Sequence, residues 1–154
     1  MTIADHMLVG EVGFAGWKSS EAFTGHDIAH EIAERVRHEF SIFAESTSGD
    51  VHVAEIDGVV AGWTARDGAR DYVSDLWVHP DHQGRGIGRA LVLHILNLIS
   101  ADGYPLARID THASNTGAIR LYERCGFAIV WRGIEFSKSM GIDLEKVHMK
   151  KALP

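Results

Sequence analysis

The chain has 154 residues, 45% of them apolar and 23% charged, a balance that excludes disordered, collagen-like and low-complexity classes. Its length predicts one domain, residues 1–154, able to fold without a metal or disulfide staple. Fifteen Lys and Arg against 21 Asp and Glu leave a net charge of −6, which argues against a general nucleic-acid binder, and ten histidines make that acidity sensitive to pH.

Residues Asp5 to Trp17 carry Leu8, Val12 and Ala15 at helical spacing, with Asp5 as N-cap, although Gly10, Gly13 and Gly16 weaken the helix. Thr24 and Asp27 form an acidic variant of the capping box for a second helix, which Ile28, Ile32, Arg35 and Val36 continue in phase. Period two begins at Val51. Val51, Val53 and Ile56, then Val59, Val60 and Trp63, flank Asp57-Gly58, a dipeptide suited to a tight hairpin. Tyr72 to Val78 reads as one strand stopped by Pro80. A Gly-rich turn follows, then a long helix from about Gly88 to Ala101, ended by Gly103.

The most apolar stretch, Leu91 to Ile99, is interrupted by His94 and Asn97 and is too short to cross a bilayer. Leu106 to His112 is a strand, and Asn115 to Cys125 a short helix closed by Gly126. Phe127 to Trp131 and Val147 to Leu153 are the last strands, with Phe136 to Asp143 between them as a lid or subunit contact. Hairpin, then strand–helix–strand–helix–strand, implies a mixed α/β sheet with at least one parallel crossover. No signal peptide is visible, and the lone Cys125 fits a reducing cytosol. A cytoplasmic protein without a membrane partner is therefore expected.

The informative stretch runs from Val78 to Arg89. Gly84, Gly86 and Gly88 remove side chains where a strand hands over to a helix, leaving free amides with the positive end of the helix dipole behind them. Arg85 and Arg89 add charge suited to phosphate oxygens. The spacing is not the dinucleotide fingerprint, because counting from Gly84 lands on Arg89 and from Gly86 on Leu91. It is not a Walker A loop either, since no Lys occurs there.

The motif Gln83-Gly84-Arg85-Gly86-Ile87-Gly88, preceded by the strand Leu76-Trp77-Val78-His79-Pro80, is similar to that of the GCN5-related N-acetyltransferase (GNAT) superfamily. The likeness continues through Ser114-Asn115 to Tyr122, Gly126 and Phe127, and covers about Val51 to Trp131. It implies the acyl-CoA N-acyltransferase fold: a mixed, mostly antiparallel central sheet with a splayed parallel strand pair and flanking helices. It also implies acetyl-CoA as cosubstrate, held at its pyrophosphate by Gln83 through Arg89 and along its pantetheine arm by Leu76, Trp77, Val78 and Asn115. No metal is expected.

By the same resemblance Tyr122 is the general acid for the leaving thiolate. Asp110 is the expected general base, with Asp75 and His112 as rivals. Cys125 reads as a small buried apolar residue, and His26 and His30 as a helix surface, since Asp27 stands where a zinc protease motif has Glu. Only Thr2-Ile3-Ala4 precedes Asp5 where the family has its opening strand, which implies either a reduced first strand or a natural start further upstream. The function implied is transfer of an acetyl group directly to a primary amine of a small molecule or peptide, with a homodimer as a possible assembly. The other readings are a coenzyme A sensor without turnover and a nucleotide-binding fold. Net acidity would help to draw in a cationic amine.

Overall fold

The computed structural model describes residues 1–23, 27–47 and 49–154. Strands β1 (Asp50–Ile56) and β2 (Val59–Arg66) pair antiparallel around the expected turn. Asp57 (φ 51°) and Gly58 (φ 78°) both take left-handed backbone there, the turn whose twist matches that of the flanking strands.

The stretch expected as one strand is two. β3 (Tyr72–Val73) and β4 (Asp75–Val78) are interrupted at Ser74 and belong to different sheets. β3 runs parallel to β5 (Leu106–His112), with Tyr72 opposite Arg108 and Val73 opposite Ile109. β4 instead pairs antiparallel with β2, and the Ser74 amide already donates to the Ala65 carbonyl at 3.0 Å. The chain thus forks away from β5 at Ser74. One sheet has the order β1-β2-β4; the other has β3-β5-β7-β6. This is the mixed architecture with a splayed parallel pair that the sequence implied.

Helix α3 (Ile87–Ala101) lies in the connection from β4 to β5, within the crossover that returns the chain parallel to β3. Its face is shared between the sheets. Ile87 and Leu91 pack with Ala61 of β2, while Val92, Ile95, Leu96 and Ile99 pack with Ala107 and Ile109 of β5. Helix α4 (Thr116–Arg124) lies on the same side, with Tyr122 and the following Cys125 and Phe127 in that core. Asn115 is its N-cap, its side chain accepting the Ala118 N–H at 3.3 Å. Gly126 (φ 92°) closes it.

Helices α1 (His6–Lys18) and α2 (His30–Ser46) cover the opposite face of the first sheet, around Trp63 and Phe40. The three glycines of α1 are contact positions. A Cβ on Gly10 would lie 2.8 Å from the Phe40 carbonyl oxygen, and one on Gly16 would lie 3.2 Å from that of Val78. Asp5 does occupy the N-cap position of α1, but its carboxylate turns back to the Thr2 hydroxyl at 2.9 Å. Residues 3–5 form a 3-10 turn.

The second helix starts later than its capping pattern predicted. Residues 27–29 are not helical and Ala29 is the N-cap. Thr24 and His26 lie outside the described residues, and His30 opens α2, so Asp27 to His30 is not the helical turn expected. Phe136 to Asp143 is strand and turn rather than a separate segment. β6 (Ala128–Ser137) and β7 (Ile142–Ala152) extend through it as one hairpin. Its turn tucks Met140, 4% exposed, into the α1/α2 core instead of standing off as a separate lid.

Candidate active site

The fork opens into a cavity of about 820 Å³ between β4 and β5. Two faces meet there, and strand alternation decides which side chain belongs to which. Leu76 and Val78 pack toward α3, whereas Trp77 packs into the α1/α2 core and donates its indole N–H to Asp75 at 3.1 Å. On β5, Ala107 and Ile109 are buried against α3, which turns Arg108, Asp110 and His112 to the opposite face. The ring of Phe23, from the 3-10 turn Glu21–Phe23 after α1, meets His112 edge-on there at 5.3 Å.

At the far end of β4 the Gly-rich turn lines the cavity with Gln83, Gly84, Gly86, Ile87, Gly88 and Arg89. Gly84 (φ 71°) and Gly86 (φ 82°) hold left-handed backbone that a side chain would strain. The Gln83 side chain donates to the Val78 carbonyl at 3.2 Å, tying the turn to its strand. Arg85 departs from the expectation: it points to His82 (3.1 Å) and does not line the cavity. Arg124 of α4 does, and the sequence reading missed it. Gly117, Leu121 and Arg124 follow one helical stripe, the signal that could have found it.

Among the described residues β4 pairs as a strand only with β2, and its register directs the backbone of Leu76 and Val78 away from that partner, into the fork. These are backbone groups without a strand to receive them, a fit for a ligand carrying amides. Asn115 also lines the cavity, although both ends of its amide are engaged, by the Ala118 N–H and by the Thr111 hydroxyl at 3.4 Å.

The expected acid and bases all reach this cavity. Tyr122 enters from the α4 side, 5% exposed; burial first, and then the Asp75 carboxylate, push its phenol above the ordinary value. Asp75 is half-buried at the fork, and desolvation pushes its carboxyl up against the lowering effect of the Trp77 and Ser74 hydrogen bonds. Asp110 accepts the Tyr72 hydroxyl at 3.1 Å. Burial, reinforced by that carboxylate, raises the Tyr72 phenol, which keeps it a donor. His112 is lowered by burial and by Lys146.

Cys125 is buried, with its thiol raised by burial, and is no nucleophile. Glu21 is a further residue the sequence reading missed. It bridges to α4, accepting the Thr116 hydroxyl at 2.6 Å and the Gly117 N–H at 2.8 Å, and those bonds hold its carboxyl low. Among the described residues no group of three potential metal ligands occurs, and no helix is long and apolar enough to cross a membrane.

Residues 17–127 match the Acetyltransferase (GNAT) family, and the chain belongs to it. The fold agrees with solved members. A GCN5-related N-acetyltransferase from Rhodopseudomonas palustris superposes with a TM-score of 0.79 at 21% identity, over 99% of this chain and 92% of that one. The PaiA N-acetyltransferase of Thermoplasma acidophilum, solved in complex with coenzyme A, gives 0.75 at 18% identity, over 99% and 96%. YncA, a putative acetyltransferase from Salmonella typhimurium solved with its cofactor acetyl-CoA, gives 0.70 at 22%, over 100% and 91%.

Proposed function

We propose that this protein transfers an acetyl group from acetyl-CoA to a primary amine by direct attack. The observation that carries the reading is the fork. It sets Tyr122 on one face of a single cavity and Asp75 and Asp110 on the other, with the left-handed glycine turn at its end. Gln83, Gly84, Gly86, Ile87, Gly88 and Arg89 suit the pyrophosphate, with Arg124 beside them, and the outward backbone of Leu76 and Val78, flanking Trp77, suits the pantetheine arm.

Bound there, acetyl-CoA supplies an activated acyl carbon, to which the amine nitrogen bonds as the C–S bond breaks. Asp110 takes a proton from the ammonium so that a lone pair is available, and Tyr122 donates its phenolic proton to the departing sulfur. The second nitrogen proton restores the Tyr122 phenol, so an ammonium and a thioester become an amide, a thiol and the one proton that Asp110 releases to solvent. A second assignment of the base, to Asp75, is favoured by its burial, which moves a carboxyl toward the range in which it exchanges protons near neutrality.

The test is thiol release from acetyl-CoA across an amine panel, beside direct binding of coenzyme A. Amine-dependent release supports the enzyme. Tight coenzyme A binding with no release for any amine would establish the sensor reading instead.

A further inference from the structure

The acceptor side of the cavity carries charges of both signs, and their pairing narrows what fits it. Glu21, Glu39, Asp75 and Asp110 are its carboxylates. Glu21 is committed to the start of α4, which leaves three for an ammonium. Arg89 and Arg124 belong to the anion turn and its neighbouring helix. Among the described residues that leaves one cationic side chain lining the cavity from the opposite face, Lys146 of β7. Val147 and Met149 are fully buried against α3, so alternation turns Lys146 to the face that bears Asp110 and His112.

Lys146 sits directly across the ladder from His112, and Asp110 directly across from His148. The arginines elsewhere on these sheets are matched to carboxylates: Arg66 to Asp50, Arg108 to Asp71 and Arg132 to Glu145. Among the described residues Lys146 and His112 have no such partner within ion-pair distance. The lowered His112 is a neutral ring with an N–H to give. An ammonium and an imidazole side by side without an acid, two strand positions from a carboxylate, form one half of a site whose other half is the ligand.

The geometry points to a zwitterionic acceptor, an α-amino acid with an apolar side chain. Its ammonium is received by Asp110, its carboxylate by Lys146 with His112, and its side chain by the wall of Val36, Phe40, Phe43 and Met140. Asp110 and Lys146 are diagonal neighbours across the ladder, with backbones about 7–8 Å apart. Both side chains rise from the same face of the ladder and line the cavity, so an ammonium and a carboxylate joined by one α-carbon can meet them together. A polyamine would bring a second cation against Lys146. A peptide N-terminus would bring a neutral amide and leave Lys146 without a counter-charge, a mismatch that buried polar sites reject strongly.

The inference rests on the acetyl-transfer reading, and the experiment separates the two. Phenylalanine, methionine and leucine, each as free acid and as primary amide, are titrated calorimetrically into coenzyme A-saturated protein and assayed for thiol release with acetyl-CoA. The expected result is binding and kcat/KM at least about 10-fold higher for a free acid than for its own amide. Lys146→Gln brings that ratio close to one and Lys146→Arg retains it. Acetylation of the amides as readily as the acids, or a ratio that survives Lys146→Gln, overturns the zwitterionic acceptor and leaves acetyl transfer standing. Thiol release with none of the six overturns the amino-acid acceptor, and failure to bind coenzyme A overturns both readings.

Discussion

Tyr72 donates its hydroxyl to Asp110 at 3.1 Å across the only parallel strand pair in the protein's described residues, just before the chain leaves β5 at Ser74. The phenol is fixed from behind as well, since the Arg108 guanidinium lies 5.6 Å from its ring centre and is itself held by two hydrogen bonds to Asp71. Asp110 is therefore oriented by a residue that reaches neither the glycine turn nor α4.

Removing that orientation gives the first prediction. Tyr72→Phe keeps the ring and its packing but deletes a hydrogen bond to a carboxylate, an interaction of about 1.5–3 kcal/mol. We expect kcat to fall about 10-fold or more, with coenzyme A affinity from calorimetry unchanged. An equal loss in affinity would mean that Tyr72 shapes the cofactor channel instead.

Tyr122→Phe should separate chemistry from binding more sharply. A positioned general acid contributes about 10²–10⁴-fold, so kcat drops by that order while coenzyme A still binds. Because burial and Asp75 raise the phenol, the wild-type donor stays protonated through neutral pH, and Tyr122 imposes no alkaline fall in rate there. A rate profile declining near neutrality would remove it from the role.

Asp75 predicts an inverted dependence of stability on pH. Its folded pKa is raised, so the folded state holds the proton more tightly than the unfolded chain, whose value is about 3.9. Its contribution is most favourable in acid and is lost as pH rises from the unfolded value through the folded one. Asp75→Asn cannot ionise, and its gain in Tm over wild type should be larger near pH 7 than near pH 4. Thermal melts at the two pH values decide this, and a gain that shrinks with pH refutes it.

Gly10→Ala tests the helix contact. Alanine is the better helix former by about 1 kcal/mol, yet its methyl would stand 2.8 Å from a backbone oxygen of α2 that cannot swing aside. A net loss of about 1–3 kcal/mol is expected from denaturant unfolding. A stabilised variant would show that the crossing of α1 and α2 relaxes freely.

What the sequence made legible was local. Asp57-Gly58 names its own turn, Asn115 its own cap, and Gly84 to Gly88 their own backbone, because each requires a conformation few residues tolerate. What it hid was relational. Nothing in Tyr72 to Val78 marks Ser74 as the point of departure, since both halves have the same strand composition and only the choice of partner differs. Gly10, Gly13 and Gly16 look like helix breakers until α2 and β4 stand against them. Glu21 and Lys146 carry no motif, and each takes its meaning from a residue more than 30 positions away in sequence, Thr116 and His112 respectively.

Helix α3 packs one end against β2 and the other against β5, bridging two sheets that the chain itself joins at Ser74. It is a strut across an open angle. The left-handed glycine loop runs straight into it, with Gly86 as its N-cap, so the anion turn is mounted on the member that spans the opening. The same helix sends Val92 and Ile95 into the core that holds Tyr122, so the anion turn and the phenol are seated on one element.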